Sequence, residues 1–311
     1  MALENAVLVV GESLIDIVHA ADGTTLEYAG GSAANVAVAL ARLDRPVRFA
    51  TAWADDARGA VLAAHLEHAG VELAADPHVL DRTATAAATI GADGAASYVF
   101  DLQWRLGDIA TDPAPVGVHV CSLGAVVEPG ADQVHDLVDA LREVATVSYD
   151  VNARPAITGT GAEVVALVER MVAQSDVVKA SDEDLQHLYP DLDVEAAAGH
   201  LLRLGPAAVV VTRGGEGASW YGAGGSAEVA SLPVEVADTI GAGDTFGAAI
   251  IDALWERGLL GAAHRERLRA LPARDAEAVL AHAARAAAVT VSRPGADPPY
   301  RSELDGATGS P

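Results

Sequence analysis

The sequence predicts an α/β fold, a mostly parallel sheet flanked by helices, from three observations. Short apolar runs alternate with longer alanine- and leucine-rich stretches of helical period, no linker or composition break divides the series, and two segments depart from it with hairpin spacing. Segments 6–10, 46–51, 116–122, 146–151, 176–179 and 207–212 are brief, apolar and bounded by polar residues or glycine, as buried strands are. Between them, 33–43, 57–69, 131–144, 162–174 and 194–204 are long and periodic enough for helices. The departures are 14–20 with 26–29 around Asp22-Gly23, and 83–90 with 97–102 around Gly91-Ala92-Asp93-Gly94. They read either as a small separate sheet or as edge hairpins of the main one. A β-type stretch over 218–236 leads to helical regions at 243–257 and 276–291, and the small polar tail 302–311 reads as disordered. The whole of 1–311 is read as one principal domain.

The chain has 311 residues and a formal net charge of −24 from 20 basic and 44 acidic side chains. An acidic surface without a basic block repels a phosphate backbone, so nucleic acid and anionic membrane are poor partners. Lys179 is the only lysine, so one ammonium cannot serve both a phosphate loop and a separate base. The single cysteine, Cys121, excludes an intramolecular disulfide and thiol-pair chemistry and fits a reducing compartment. No basic leader, long apolar run or spaced histidine pair points to export, a membrane span or a structural metal, and a cytoplasmic location is expected.

The most informative segment is 234–251. An extended run stops at Asp238, the loop Gly241-Ala242-Gly243 follows, and a helix starts near Asp244. A helix N-terminus has unpaired N–H groups and partial positive charge, and glycines let an anion approach them. Asp244 is either a catalytic acid or a residue that compensates the helix dipole. A dinucleotide loop fits less well, because too little chain follows and Asp244 would face a pyrophosphate. A Walker A loop fails because no glycine loop is followed by lysine. A second cluster, Gly30-Gly31-Ser32-Ala33-Ala34-Asn35, opens a helix; its small residues admit a ligand, and Asn35 can bond hydroxyls or neighbour a cap. Asp16, charged within an apolar stretch, must be exposed, paired or functional.

Together, Gly30-Gly31-x-x-x-Asn35-x-Ala37 and Asp238-Thr239-x-Gly241-Ala242-Gly243-Asp244-x-Phe246 resemble the ribokinase/PfkB family of sugar kinases. The resemblance covers most of the chain, from Val9 to Ala296. Within the family, Gly11-Glu12-Ser13, the segment 149–155, Trp104 and 178–185 look most like bacterial fructokinases. It implies a ribokinase-like fold with a β lid from about 13–29 and 83–105, and transfer of the ATP γ-phosphate to a sugar primary hydroxyl. Asp244 would be the base, and Gly241, Ala242 and Gly243 would donate N–H groups to the transferred phosphoryl. Asp16, Gly31, Asn35, Trp104, Asn152 and Arg154 would meet the sugar, with Ser181, Thr212, Gly214 and Gly217 near the nucleotide. Asp184 or the adjacent Glu183 would organise Mg2+ through water, in place of the family's usual Asn-x-x-Glu, or Ser181 would simply cap a helix carrying acids in its first turn. Asp238, Ile240, Ser292 and Gly295 would line a K+ site, with Ser292 otherwise an ordinary loop serine. Arg154 has three open readings: a phosphate, the carboxylate of an acidic sugar, or a structural ion pair. Fructose is the expected substrate, with 2-keto-3-deoxygluconate and ribose as alternatives and a silent sugar- or nucleotide-binding regulator as the non-kinase reading. A homodimer through the lid is in keeping with the resemblance.

Overall fold

The computed structural model describes residues 5–19, 24–90 and 96–306. The chain begins β1 (Val7–Val10), β2 (Leu14–His19), β3 (Thr25–Gly30), α1 (Ser32–Arg42), β4 (Val47–Ala50), α2 (Ala57–His68) and β5 (Glu72–Leu73). It continues β6 (Thr85–Ile90), β7 (Ala96–Asp101), β8 (Gly117–Cys121), α3 (Gly130–Leu141), β9 (Thr146–Asp150), α4 (Pro155–Thr158) and α5 (Ala162–Gln174). Next are β10 (Val177–Ser181), α6 (Asp182–Leu188), α7 (Val194–Arg203), β11 (Ala208–Thr212), β12 (Ala218–Gly222) and β13 (Gly225–Val229). Helices α8 (Ala242–Glu256), α9 (Arg265–Arg269), α10 (Ala273–Val291) and α11 (Arg301–Gly306) complete it.

Nine strands form the main sheet in the order β13-β12-β11-β10-β9-β8-β1-β4-β5. All pairings from β11 to β5 are parallel, and the β12 and β13 hairpin adds an antiparallel edge. Alternate residues explain why both faces need cover. Leu8 and Val10 enter a core with α3, α5, α6 and α7, while Val7 and Val9 enter one with α1 and α2, on the face also covered by α8 and α10. Each fully buried aliphatic side chain contributes roughly 1.5–3 kcal/mol. Chain order reverses direction at β1, between β8 and β4, and such a switch point opens a crevice at the carboxyl ends of the strands.

The hairpin segments form a separate four-stranded sheet, β3-β2-β6-β7, in which β2 and β6 are parallel and the outer pairs antiparallel. Their expected turns at Asp22-Gly23 and Gly91–Gly94 lie outside the described residues. Two expectations are corrected. The extended stretch expected to reach Val236 stops pairing at Val229, and Leu232, Val234 and Val236 beyond it are 39–60% exposed. The tail read as disordered from Ser302 is helical through Gly306, because Leu304 is buried and Arg301 bonds the Leu43 carbonyl and Asp252. Residues 307–311 lie outside the described set. Among the described residues no helix is long and apolar enough to cross a membrane.

Candidate active site

Two helices begin at the crevice, and their first turns supply its central contacts. Helix α8 starts after Gly241, whose φ of 73° is left-handed and whose Cβ position lies 2.6 Å from Ala296 Cβ, so glycine is required twice over. No side chain caps α8, and Asp244 stands in its first turn, 8% exposed. Helix α1 starts after Gly31, which has φ 105° and approaches the Glu12 carbonyl so closely that a Cβ would lie 2.6 Å from it. Ser32 and Asn35 share one face of α1. Ser32 Oγ donates to Asp244 Oδ1 at 2.5 Å, and Asn35 Nδ2 donates to Oδ2 at 2.7 Å. Asn152, after β9 with φ 37°, donates from Nδ2 to Ser32 Oγ at 2.8 Å.

Lys179 lies beneath this glycine loop. Its Nζ is 2.7 Å from Asp150 Oδ2, both residues are buried, and Nζ is 3.4 Å from the Cβ position of Gly243. Burial disfavours the ammonium, but Asp150, with Asp184 and Asp244 nearby, outweighs it and holds Lys179 above its ordinary value. Burial likewise pushes the Asp150 carboxyl up to about 6, against the pull of Lys179.

Two charged groups near the site, Asp16 and Arg154, form no ion pair among the described residues. Asp16, on β2, makes no side-chain hydrogen bond or ion pair among the described residues, and Gly30 leaves room for it: a Cβ there would sit 2.1 Å from Asp16 Oδ2. Burial raises its carboxyl to about 6, while Arg154 acts to lower it. Arg154 donates only to the carbonyls of Asn152 and Ala153, at 3.2 and 2.9 Å, and forms no ion pair among the described residues. The structural salt bridge considered for it is therefore not present.

The remaining expected site residues stand as follows. Trp104 is buried in the main core, 3% exposed; its indole N–H donates to the Gly124 carbonyl at 3.1 Å and its ring fills the space beside Gly130. It does not lie open on the second sheet. Asp184 is also buried: Oδ2 accepts from Ser181 N at 2.8 Å while Ser181 Oγ accepts from Asp184 N, a capping box, and Oδ1 accepts from Ala153 N at 2.8 Å. Glu183 beside it is exposed. Thr212 ends β11, and Gly214 has φ 48° with open space around it. Gly217 has a packing role, since a Cβ would lie 2.0 Å from the Val229 carbonyl oxygen. Asp238 accepts from Ile240 N at 3.0 Å and Gly295 N at 2.9 Å, tying the loop before α8 to the segment after α10. Ser292 Oγ donates to Val289 O at 2.7 Å, and Ile240 is 58% exposed. Among the described residues no group of three or more His, Cys, Asp or Glu side chains could hold a metal.

The sequence reading missed Glu12 and Ser32. Glu12, at the end of β1, is 5% exposed, accepts from Gly124 N at 3.1 Å, and has its carboxyl raised to about 8, chiefly by burial. A charged residue between Gly11 and Ser13 after an apolar strand was the available signal. Ser32 carried no such signal, because its partner is 212 positions away.

Comparison with known proteins agrees with this geometry. A model of the pfkB family of carbohydrate kinases matches residues 4–303. The chain is 35% identical over 261 residues to a fructokinase of Rhizobium leguminosarum bv. trifolii, covering 80% of this chain and 79% of that protein. It superposes with a TM-score of 0.84 on a crystal structure of fructokinase with bound ATP from Xylella fastidiosa, at 26% identity over 99% of this chain and 100% of that one. A fructokinase double mutant from Vibrio cholerae O395, in fructose-, ADP- and potassium-bound form, gives a TM-score of 0.76 at 25% identity, covering 97% of each chain. A glycine-loop helix whose leading aspartate is oriented from a second helix, on a fold of this topology, thus has a known context: the chain belongs to the pfkB family of carbohydrate kinases and is a sugar kinase.

Proposed function

We propose that the chain is an ATP-dependent fructokinase. The observation that carries the reading is Asp244, fixed from both sides by Ser32 and Asn35 at the uncapped N-terminus of α8. Each carboxylate oxygen has two lone pairs, so these donors leave positions for a sugar hydroxyl. Asp244 takes the hydroxyl proton as the sugar oxygen bonds the γ-phosphorus and the bond to ADP breaks. The N–H groups of Gly241, Ala242 and Gly243, with the helix dipole, meet the charge on the transferred phosphoryl. Asp16, Gly31 and Asn35 bind sugar hydroxyls, with the second sheet, about 13–29 and 83–105, as the lid that excludes water. Thr212 and Gly214 border the nucleotide. Arg154, without a carboxylate partner among the described residues, is available to a phosphate or to a sugar carboxylate, which keeps 2-keto-3-deoxygluconate beside fructose as a candidate. The exposed apolar side chains Leu26, Tyr28 and Val99 of the second sheet favour pairing of two copies through it.

For Mg2+, the exposed Glu183 is open to an ion or its waters, and the buried Asp184, each of whose oxygens accepts one backbone N–H group and keeps a second lone pair, stands beside it. The ion would neutralise phosphate charge. For K+, Asp238 holds together the two segments whose carbonyls, with those of Ile240, Ser292 and Gly295, would ligate it.

A coupled ADP-release screen over fructose, ribose and 2-keto-3-deoxygluconate, with Mg2+ and K+ present, tests the reading. Fructose should give the highest kcat/KM, and Asp244→Asn should lower kcat by about 10²–10⁴-fold while ATP binding is kept. Preference for the keto acid would reassign the substrate, and near-normal turnover by Asp244→Asn would remove the base.

A further inference from the structure

Asp244 does not hold its own position. Its two oxygens are occupied by one donor each, and behind the Ser32 donor stands a third group, Asn152. The Ser32 hydroxyl has a single proton and lies between Asn152 Nδ2, which only donates, and an ionised Asp244 oxygen, which only accepts. The amide therefore takes one of the serine's two acceptor positions, and the serine's proton, which Asn152 Nδ2 cannot accept, goes to Asp244. Asn152 in turn is held in a sparsely populated conformation, φ 37°, with its carbonyl accepting from Ser122 Oγ at 3.2 Å. Such strain persists only where surrounding contacts over-determine it and concentrates at functional sites. The chain Asn152, Ser32, Asp244 thus links the end of β9, the first turn of α1 and the first turn of α8. Asn152 was expected to meet the sugar; its amide nitrogen is instead turned to Ser32.

We infer that Ser32 is a positioning residue for phosphoryl transfer, and that Asn152 orients the Ser32 hydroxyl so that it aims the Asp244 carboxylate at the acceptor hydroxyl. The inference rests on the reading of Asp244 as the base. A donor at 2.5 Å on one oxygen and another at 2.7 Å on the other leave the carboxylate no free rotation about its last bond. Removing the serine hydroxyl releases that rotation and leaves Asn35 as its single anchor. Misplacement of a reacting group by about 1 Å can cost about 10²-fold in rate without weakening substrate binding.

The test is steady-state kinetics with the full chain, ATP and the sugar selected by the ADP-release screen, each variant's folding being checked by its melting temperature. Ser32→Ala should lower kcat by about 10–100-fold with both KM values within about threefold, the pattern of a lost transition-state interaction. Ser32→Thr keeps the hydroxyl and should stay within about fivefold of wild-type kcat. Asn152→Gly removes the amide but tolerates the positive φ, and should lose a similar factor. In the Ser32→Ala/Asn152→Gly double variant the losses should not multiply, because both substitutions break one chain. Full kcat in Ser32→Ala, a loss confined to KM, a threonine variant no better than alanine, or multiplicative losses would each overturn the relay. Asp244→Asn separates the two readings. If it is inactive while Ser32→Ala has wild-type kcat, only the relay fails; if it retains activity, or no sugar is turned over, both fail.

Discussion

Glu12 is a carboxylic acid sealed at the end of β1, and its environment decides its protonation. Burial raises the carboxyl from its ordinary 4.5 to about 8; a backbone bond and the Arg154 charge act to lower it, and Asp244 to raise it. At neutral pH it is therefore mostly protonated in the folded chain and ionised in the unfolded one. Between about 4.5 and 8 the folded state holds the extra proton, so this contribution to stability is complete below 4.5 and is lost as pH rises through 8. Glu12→Gln keeps an acceptor for Gly124 N but does not titrate. Its melting temperature relative to wild type should rise as pH goes from about 5 to about 8.5, and a constant difference would show that Glu12 ionises normally. Sequence reading found Asp16 by asking what a charge does in an apolar stretch, and the same question applied to Glu12 would have found it. Where the Trp104 ring lies was not legible for a related reason: Gly130, 26 residues later, opens the core slot that takes it.

Helices and strands were legible where periodicity was long, as in α1, α2, α5 and α10. They were not legible where one long-range contact decides. α11 is such an element. Six residues have little helical tendency alone, but Arg301 brings them to Asp252, which is fully buried in α8 and also accepts from Arg45 Nε at 2.6 Å and His282 Nε2 at 2.7 Å. Burial acts to raise the Asp252 carboxyl, but the bonds from His282, Arg301 and Arg45 outweigh it and hold it below its ordinary value. Arg301→Ala strips one cation from Asp252 and both donors from the Leu43 carbonyl. Since Arg45 and His282 remain, the cost should be about 2 kcal/mol, below that of orphaning a buried charge. Denaturant unfolding should show the loss. kcat/KM should be unchanged, because Asp252 lies two helical turns, about 12 Å, beyond Asp244. The hairpins show the same limit: alternation announced strands, but only the parallel register of β2 with β6 makes them a sheet of their own.

At the scale of the whole molecule, a net charge of −24 is at first sight ill suited to a chain that handles ATP. The site resolves this locally: backbone N–H groups at the start of α8 and the Arg154 guanidinium, which has no ion pair among the described residues, supply positive character where the bulk does not, while the ammonium of Lys179 beneath Gly243 offsets Asp150. Composition alone excluded a lysine phosphate loop, but not where the one lysine would stand. The bulk charge still acts on folding. Spread over 13350 Å² of surface, it amounts to one uncompensated charge per about 560 Å², a spacing of about 24 Å, shorter than the screening length of about 30 Å at 10 mM salt but well beyond the 8 Å at 150 mM. Self-repulsion is thus unscreened in the first condition and largely screened in the second. Salt also weakens exposed ion pairs such as Arg58–Glu27 and Arg82–Asp101, but pairs of that kind contribute at most about 1 kcal/mol each. Repulsion among the excess acids should win, so the melting temperature should rise by several degrees between about 10 and 150 mM NaCl at fixed pH. A fall over the same range would mean that the arginine pairs, not the excess carboxylates, govern the electrostatic balance of the fold.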